Sequence, residues 1–133
     1  MPVNGGSVSV SDTKGASKMN ESPILGGVHT VDNIDTADDF SKKHVPFVSF
    51  ERMGDVVTIS VEVGHYVAHP NMPDHWIDLI EIVANGAPIA SYHFAGGVVA
   101  PKVTAIATLD PGTKVSVFER CNLHGFWMAE TEV

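Results

Sequence analysis

The feature that most constrains the fold is the stretch VVTISVEVG, residues 56–64, in which apolar and polar side chains alternate. A period of two puts successive side chains on opposite faces of a β-strand, so one face of this segment is expected to be buried and the other exposed. The predicted buried face consists of Val57, Ile59, Val61 and Val63. A chain organised by such segments folds into sheets.

Six further segments are strand-like in length and composition, and turn residues separate most of them. Gly54 marks the first turn, Asn85-Gly86 is a strong hairpin signal, and Asp110-Pro111-Gly112 combines a fixed φ with a residue that accepts a positive one. The pattern predicts an all-β fold, an immunoglobulin-like antiparallel β-sandwich of about seven strands. The predicted strands cover 45–52, 56–64, 76–84, 87–95, 102–109, 113–121 and 126–133.

The segment before these strands is different in composition. Residues 1–22 are rich in Ser, Gly, Asn and Lys without a hydrophobic period, which predicts a flexible N-terminal arm. Residues 23–133 then form one domain, in which 24–40 are expected to be a loop despite a possible N-cap in DNIDTADDF.

Charge and hydropathy exclude several classes of function. The net charge is −8, and among the eight basic residues only Lys42 and Lys43 are adjacent, so nucleic acid is not an expected partner. No apolar run is long enough to cross a membrane and no secretory signal is visible. A single cysteine agrees with a reducing, cytoplasmic setting.

Histidines are concentrated in the one long loop between strands, GHYVAHPNMPDHW (64–76), which contains His65, His69 and His75. Long ordered loops are commonly functional. His65 is the weakest of these three as a metal ligand because it ends a strand. His29 and His93 are expected to be ordinary surface or hydrogen-bonded side chains.

The only cysteine, Cys121, precedes His124 by three positions, and Gly125 follows. This spacing lets a thiolate and an imidazole reach one metal ion from a tight turn. A lone cysteine is nevertheless more often a small core side chain than a ligand, so the pair by itself leaves both interpretations open.

The complete set of donors favours a metal site. The Cys121 and His124 pair, the His69 and His75 loop, and His44 before the first long strand all lie at strand ends, where a sandwich gathers its loops. Five ligands exceed a tetrahedral zinc site, and five nitrogen and sulfur donors with an open sixth position suit iron.

Three runs, KHVP (43–46), HPNMPDHWI (69–77) and CNLHG (121–125), resemble the signatures of the superoxide reductases, the neelaredoxin and desulfoferrodoxin family. The resemblance extends from about Asp39 to the C terminus, with the motifs in the family's order. Each motif is weak, but the combination is specific. With a single cysteine, the chain lacks the family's four-cysteine module and resembles the one-iron neelaredoxin type.

The resemblance implies one mononuclear non-haem iron, Fe²⁺/Fe³⁺, that reduces superoxide to hydrogen peroxide by one electron. It maps the iron ligands onto His44, His69, His75 and His124, and the axial thiolate onto Cys121. It maps the lysine that attracts superoxide and helps to protonate the product onto Lys43. It further implies an electron donor such as rubredoxin and a homodimer or homotetramer.

One position departs from the family. The family usually has glutamate before the lysine, where it closes the sixth position of the oxidised iron, and this chain has Lys42. A charged lysine cannot act as a ligand, so the oxidised site is expected to be open or to hold water or hydroxide. Lys42 is expected either to steer superoxide or to be a solvated surface lysine.

Other functions compete with this one. Cys121, His124 and Met128 are spaced like the ligand loop of a blue-copper electron carrier, although that site would leave several histidines unused and Met128 lies in a predicted strand. A metal-free immunoglobulin-like binding module, a structural zinc site and a copper–zinc superoxide dismutase are weaker alternatives. The last has no thiolate ligand.

Overall fold

A computed structural model describes residues 27–133, and the predicted arm of residues 1–22 lies outside this range. The alternation in residues 56–62 gives a strand whose even-numbered side chains are partly exposed and whose Val57, Ile59 and Val61 are buried. The elements are β1 (Val28–His29), α1 (Asp39–His44), β2 (Phe47–Met53), β3 (Val56–Glu62), β4 (Ile77–Ala84), β5 (Ala87–His93), β6 (Lys102–Thr108), β7 (Lys114–Cys121) and β8 (Gly125–Glu132).

The strands form two sheets, with the order β2-β3-β6 in one and β1-β8-β7-β4-β5 in the other. Apart from two-residue β1, neighbouring strands are antiparallel. The seven long strands reproduce the arrangement of an immunoglobulin-like sandwich, in which the first, second and fifth strands form one sheet and the third, sixth and seventh belong to the other. The predicted fold class is confirmed.

The core lies between the inner faces of the two sheets. It is built mainly from the inward-facing Val and Ile residues of β3, β4 and β7 together with Cys121, and Glu119 of β7 is buried as well. Burying such side chains is the main favourable term in folding, at roughly 1.5–3 kcal/mol for each Val or Ile. Cys121 belongs to this buried cluster, so its sulfur lies at the border between the core and the loops above it.

The predicted loop over residues 24–40 is confirmed for residues 30–38 and is wrong at residues 28–29 and 39–40. β1 pairs in parallel with β8, and α1 begins at Asp39, within the predicted loop. The Asp38 side chain caps α1 by accepting a 2.8 Å hydrogen bond from the Ser41 N–H, and this satisfies one of the free donors of the first turn. His44 therefore ends a short helix, and β2 begins at Phe47 rather than at Val45.

The tight turns occur where they are predicted, at one end of the sandwich. Asn85 and Gly86 both have positive φ, at 49° and 82°, as a two-residue hairpin turn of this type requires. The strand directions bring this turn, Gly54 and Gly112 to the end opposite His44 and Cys121. Within residues 27–133, no helix is long and apolar enough to cross a membrane.

Candidate metal centre

The five predicted ligands converge at one end of the sandwich. His44 ends α1, His69 and His75 lie in the loop between β3 and β4, and Cys121 and His124 lie at the β7–β8 hairpin. Two groups of possible ligand atoms, each within 4.8 Å of one another, share the cysteine: His44, Cys121 and His124, and His69, His75 and Cys121.

The four imidazole rings are arranged as a square. Centroid distances along its sides are 4.8 Å for His44–His69, 4.9 Å for His69–His75, 5.3 Å for His75–His124 and 5.1 Å for His124–His44. Adjacent rings are close to perpendicular, with angles between 73° and 89°. Cys121 belongs with both pairs of adjacent histidines, as expected for a ligand on the axis of the square.

Hydrogen bonds determine which ring nitrogen of His44 and of His69 is available to bind a metal. Nδ1 of His44 is 2.7 Å from the Phe40 carbonyl oxygen, and Nδ1 of His69 is 2.6 Å from the Pro70 carbonyl oxygen. Because a carbonyl oxygen only accepts, both Nδ1 atoms carry the proton and both Nε2 lone pairs are free. Such backbone contacts are the usual means of orienting a metal-binding histidine.

Four buried side-chain nitrogens have no hydrogen-bond partner among the described residues, and three of them are imidazole atoms of this site: Nε2 of His44, His69 and His75. The fourth is Nε1 of Trp127. An unpaired buried polar atom costs about 1–3 kcal/mol, so three at one place need an explanation. A metal ion bound by all three supplies one. Four imidazoles and one thiolate exceed the four ligands of a tetrahedral zinc site and suit non-haem iron better.

The loop that carries His69 and His75 is ordered by a small turn of its own. Met72 and His75 exchange two backbone hydrogen bonds of 2.9 and 3.1 Å across Pro73-Asp74. At the other end of the loop Gly64 has φ of 84°, and a Cβ there would lie 2.9 Å from the His69 N atom. Glycine is required at that contact, which holds His69 against the end of β3.

The CNLHG motif forms the β7–β8 hairpin. Cys121 pairs with Gly125 across the three-residue loop Asn122–His124, and Gly125 has φ of 80°, the conformation that this loop length requires. The predicted role of Gly125 is confirmed. The turn brings Sγ of Cys121 to 3.6 Å from Nδ1 of His124. Adjacent ligands at about 2.1 and 2.3 Å from a metal would be about 3.1 Å apart, so Nδ1 is the nitrogen positioned for the metal.

Cys121 is both a core side chain and a candidate metal ligand. Its side chain is 1% exposed, and its sulfur still faces the imidazoles. Burial raises the pKa of the thiol, while backbone N–H groups of Leu123 and His124 bond to the sulfur and lower it. These donors match the expectation that N–H groups after the cysteine stabilise the thiolate. In this setting, metal binding is what removes the thiol proton at neutral pH.

The imidazoles of His44, His69 and His124 are kept neutral by their surroundings. Burial, opposed by the hydrogen bond to Pro70, lowers the pKa of His69 to about 4. Burial also lowers the pKa of His44, with a smaller effect from neighbouring histidines and Lys43, and it lowers the pKa of His124. A neutral imidazole is the form that binds metal.

Other residues considered in the sequence lie outside the square. His65 stacks on Phe47 at 3.7 Å, and its Nδ1–H donates a 2.9 Å hydrogen bond to Oε1 of Glu62, away from the ligand groups. His93 is exposed at the end of β5. Met128 pairs with Phe118, three ladder positions from the Cys121–Gly125 pair and therefore about 10 Å along the strand. It is not placed to be an axial copper ligand.

Several supporting residues were not found from the sequence. Phe40 lies against His44 and His124. Trp127 stacks on His44 at 5.0 Å and also lies 4.7 Å from the His29 ring. A β-bulge between Ile77 and Leu79 adjoins Cys121, and there Arg120 bonds Asp78 at 2.7 Å. Only the capping signal of Asp38 could have indicated that Phe40 and His44 share a helix.

Comparisons with known proteins agree with this geometry. The desulfoferrodoxin family profile matches residues 36–130. A putative superoxide reductase of Archaeoglobus fulgidus is 32% identical over 114 residues, covering 71% of this chain and 91% of that protein.

Solved structures are similar in fold. A superoxide reductase from Nanoarchaeum equitans has a TM-score of 0.69 at 28% identity, covering 80% of this chain and 100% of that one. A superoxide reductase (neelaredoxin) from Archaeoglobus fulgidus in the reduced form has a TM-score of 0.67 at 28% identity, covering 80% and 97%. By profile, sequence and fold, the chain belongs to the superoxide reductase family, also called the desulfoferrodoxins, and is neelaredoxin-like.

Proposed function

We propose that the imidazoles of His44, His69, His75 and His124 and the thiolate of Cys121 would together hold a single iron. The observation that carries this proposal is the square of imidazoles with three free Nε2 atoms beside one buried thiol. The chain is a superoxide reductase, and superoxide takes up one electron and two protons at this centre to give hydrogen peroxide.

The iron, when bound, supplies the electron by passing from Fe²⁺ to Fe³⁺ and is reduced again by a donor. The residues of the chain set the conditions for that change. Four neutral imidazoles add no charge and the thiolate adds one negative charge, so a ferrous site retains a net positive charge that attracts an anion. The N–H groups of Leu123 and His124 bond the sulfur and so moderate the electron density that it donates.

We further propose that Lys43 attracts superoxide and helps to protonate the product. The positive charge of Lys43 acts on the neighbouring candidate ligand His44 and contributes to lowering its pKa. The protein carries a net charge of −8, so an incoming anion needs such a local positive group. Replacement of Lys43 by alanine should slow the reaction with superoxide and weaken its dependence on ionic strength.

Lys42 supports a proposal about the oxidised iron. It stands where the family usually has glutamate, so the ferric site should be open or hold water or hydroxide. Of the other acidic candidates, Asp38 caps α1 through Ser41, and neither Asp39 nor Glu51 stands at the motif position. A spectrum of the oxidised protein that shows a carboxylate on iron would refute this proposal. Lys42 itself is expected either to steer superoxide or to be a solvated surface side chain.

The partners of the reaction are also proposals. We expect a small redox protein such as rubredoxin to return the electron in the cytoplasm, and a homodimer or homotetramer in solution. Rapid re-reduction of the oxidised protein by reduced rubredoxin, and a molar mass of two or four chains by light scattering, would support them. A monomer that only artificial reductants can reduce would count against both.

The test of the function is anaerobic mixing of the iron-loaded ferrous protein with superoxide. We expect each superoxide consumed to yield one hydrogen peroxide with no dioxygen release, and the iron to become ferric. Cys121→Ser and His124→Ala should lose this reaction, while His65→Ala should retain it because His65 contacts Phe47 and Glu62 instead. Release of dioxygen, or full turnover in both ligand variants, would contradict the proposal.

A further inference from the structure

The side chain of Asn122 joins the two loops that carry the candidate ligands. Its Oδ1 accepts a 2.8 Å hydrogen bond from the Trp76 N–H, and its Nδ2 donates a 3.0 Å hydrogen bond to the Asp74 carbonyl. Its own backbone N–H donates to the Trp76 carbonyl at 3.1 Å. The residues on both sides of His75 are thus held by the residue that follows Cys121.

Only an amide can make both side-chain contacts. The Trp76 N–H needs an acceptor and the Asp74 carbonyl needs a donor, so the orientation of the Asn122 amide is determined by its partners. Aspartate would offer an oxygen to a carbonyl, and leucine of similar size would offer neither group. The backbone contact to Trp76 does not depend on the side chain and would persist in either variant.

These contacts affect the candidate metal site because the turn that contains Asn122 also carries two candidate ligands, Cys121 and His124. Cys121 supplies the sulfur, Leu123 and His124 supply the N–H groups that bond it, and His124 supplies a ring of the square. His75 lies across the square's side from His124, at 5.3 Å between centroids. Movement of the turn relative to residues 74–76 would change the angle between the thiolate and the His75 nitrogen.

We propose that Asn122 is a positioning residue that fixes the Cys121 sulfur relative to the His75 imidazole, and so would set the metal–sulfur bond. This inference rests on the proposed iron function. It assigns to the motif's asparagine a role that neither its exposure nor its lack of contact with the ligand atoms would indicate. Partners of this kind commonly change metal affinity or activity by about 10–100-fold when they are removed.

The loop offers a matched comparison in Asn71. Its side chain also makes two backbone hydrogen bonds, accepting from the Gly97 N–H at 2.9 Å and donating to the Val99 carbonyl at 3.2 Å. These bonds hold the same histidine loop, but to residues 97–99, which carry no candidate ligand. Loss of Asn71 should therefore loosen His69 and His75 without moving the turn that carries Cys121.

The experiment compares the iron-loaded full chain with Asn122→Ala, Asn122→Leu and Asn71→Ala. Ferrous-iron affinity is measured by competition with a chelator, and the thiolate-to-iron charge-transfer band is measured in the oxidised protein. We expect both Asn122 variants to bind iron about 10–100-fold more weakly and to shift that band. Asn71→Ala should weaken iron binding as well but leave the band in place.

An unshifted band in both Asn122 variants, or an equal shift in Asn71→Ala, would overturn the positioning role. Those results would leave the proposed iron site intact, since the wild-type protein still binds iron. If the wild-type chain bound no iron at all, the proposed function would fail and this role would fail with it. Leucine has the same branching and the same number of side-chain heavy atoms as asparagine, and alanine is smaller, so a shift common to both variants is caused by the lost hydrogen bonds.

Discussion

The two ends of the sandwich are closed in different ways. At one end the guanidinium of Arg52 donates hydrogen bonds of 2.8 to 3.1 Å to four backbone carbonyls, those of Val133, Gly54, Leu109 and Asp110. At the other end, four imidazoles and a thiol face one another, and three imidazole nitrogens remain unpaired among the described residues.

The difference shows which end is complete without a ligand. The Arg52 end joins the β2–β3 turn, the β6–β7 turn and the C-terminal residue through a cation that belongs to the chain. The histidine end brings together α1, the 64–76 loop and the β7–β8 hairpin. No described side chain at this end pairs with the free Nε2 atoms of His44, His69 and His75. The proposed iron would join the segments at this end, as the Arg52 cation joins the segments at the other.

The largest expected effect comes from removing a ligand. Cys121→Ser should lower ferrous-iron affinity by more than about 100-fold, because outer contacts alone are worth 10–100-fold and a ligand contributes more. Chelator competition measures this. His65→Ala is the control and should bind iron as the wild type does. Equal affinity in the serine variant would remove the proposed distinction between the two ends.

Removal of Arg52 should affect stability but not the metal. Arg52→Ala deletes four hydrogen bonds from a charged donor, and we expect a loss of about 2–4 kcal/mol in the free energy of unfolding. The loss should be the same with and without iron, as measured by urea unfolding, and iron affinity should be unchanged. A large fall in iron affinity would show that the two ends are coupled.

The histidine end also contains a buried carboxyl group. Glu119 is 0% exposed, neither of its oxygens has a hydrogen-bond partner within residues 27–133, and burial raises its pKa well above the usual value. Stability from this group is full below the unfolded pKa and is lost as pH rises, because the unfolded carboxyl ionises first. Glu119→Gln should therefore stabilise the iron-free protein by on the order of 1–3 kcal/mol at pH 7.5, with little gain near pH 4.5.

Thermal unfolding of the iron-free protein across that pH range checks this prediction. A variant that is no more stable than the wild type at pH 7.5 would mean that Glu119 ionises in the folded protein.

The smallest expected effect is the number of protons that are released when ferrous iron binds. The pKa values of His44, His69 and His124 are lowered and that of the Cys121 thiol is raised, so the thiol is the main group that must lose a proton. Ferrous-iron binding at pH 7.5 should release about one proton per chain, measured by calorimetry in buffers of different ionisation enthalpy. Release of three or more would show that the histidines are charged in the iron-free site.

The sequence allowed the strands to be predicted because each carries its own signal. Alternation marks β3, and Asn85-Gly86 and Gly112 mark turns through their backbone conformations, which depend on few distant contacts. The short helix before β2 was missed because its only local signal, the cap at Asp38, is shared by ordinary loops.

The ligand residues were predicted from their types and from motif resemblance, but their arrangement was not predictable. The square requires α1, a loop and a hairpin from three parts of the chain to meet, and that follows from the register of the sandwich. The contacts of Asn122 and Asn71 with backbone atoms, and the unpaired state of Glu119, leave no pattern in the sequence.

X-ray absorption at the iron edge of the ferrous protein tests the central claim most directly. Four nitrogen ligands near 2.1 Å and one sulfur near 2.3 Å are expected, and the sulfur contribution should disappear in Cys121→Ser while the nitrogen contribution remains. A wild-type spectrum without sulfur, or a sulfur contribution that persists in the serine variant, would contradict the assignment of Cys121 as the axial ligand.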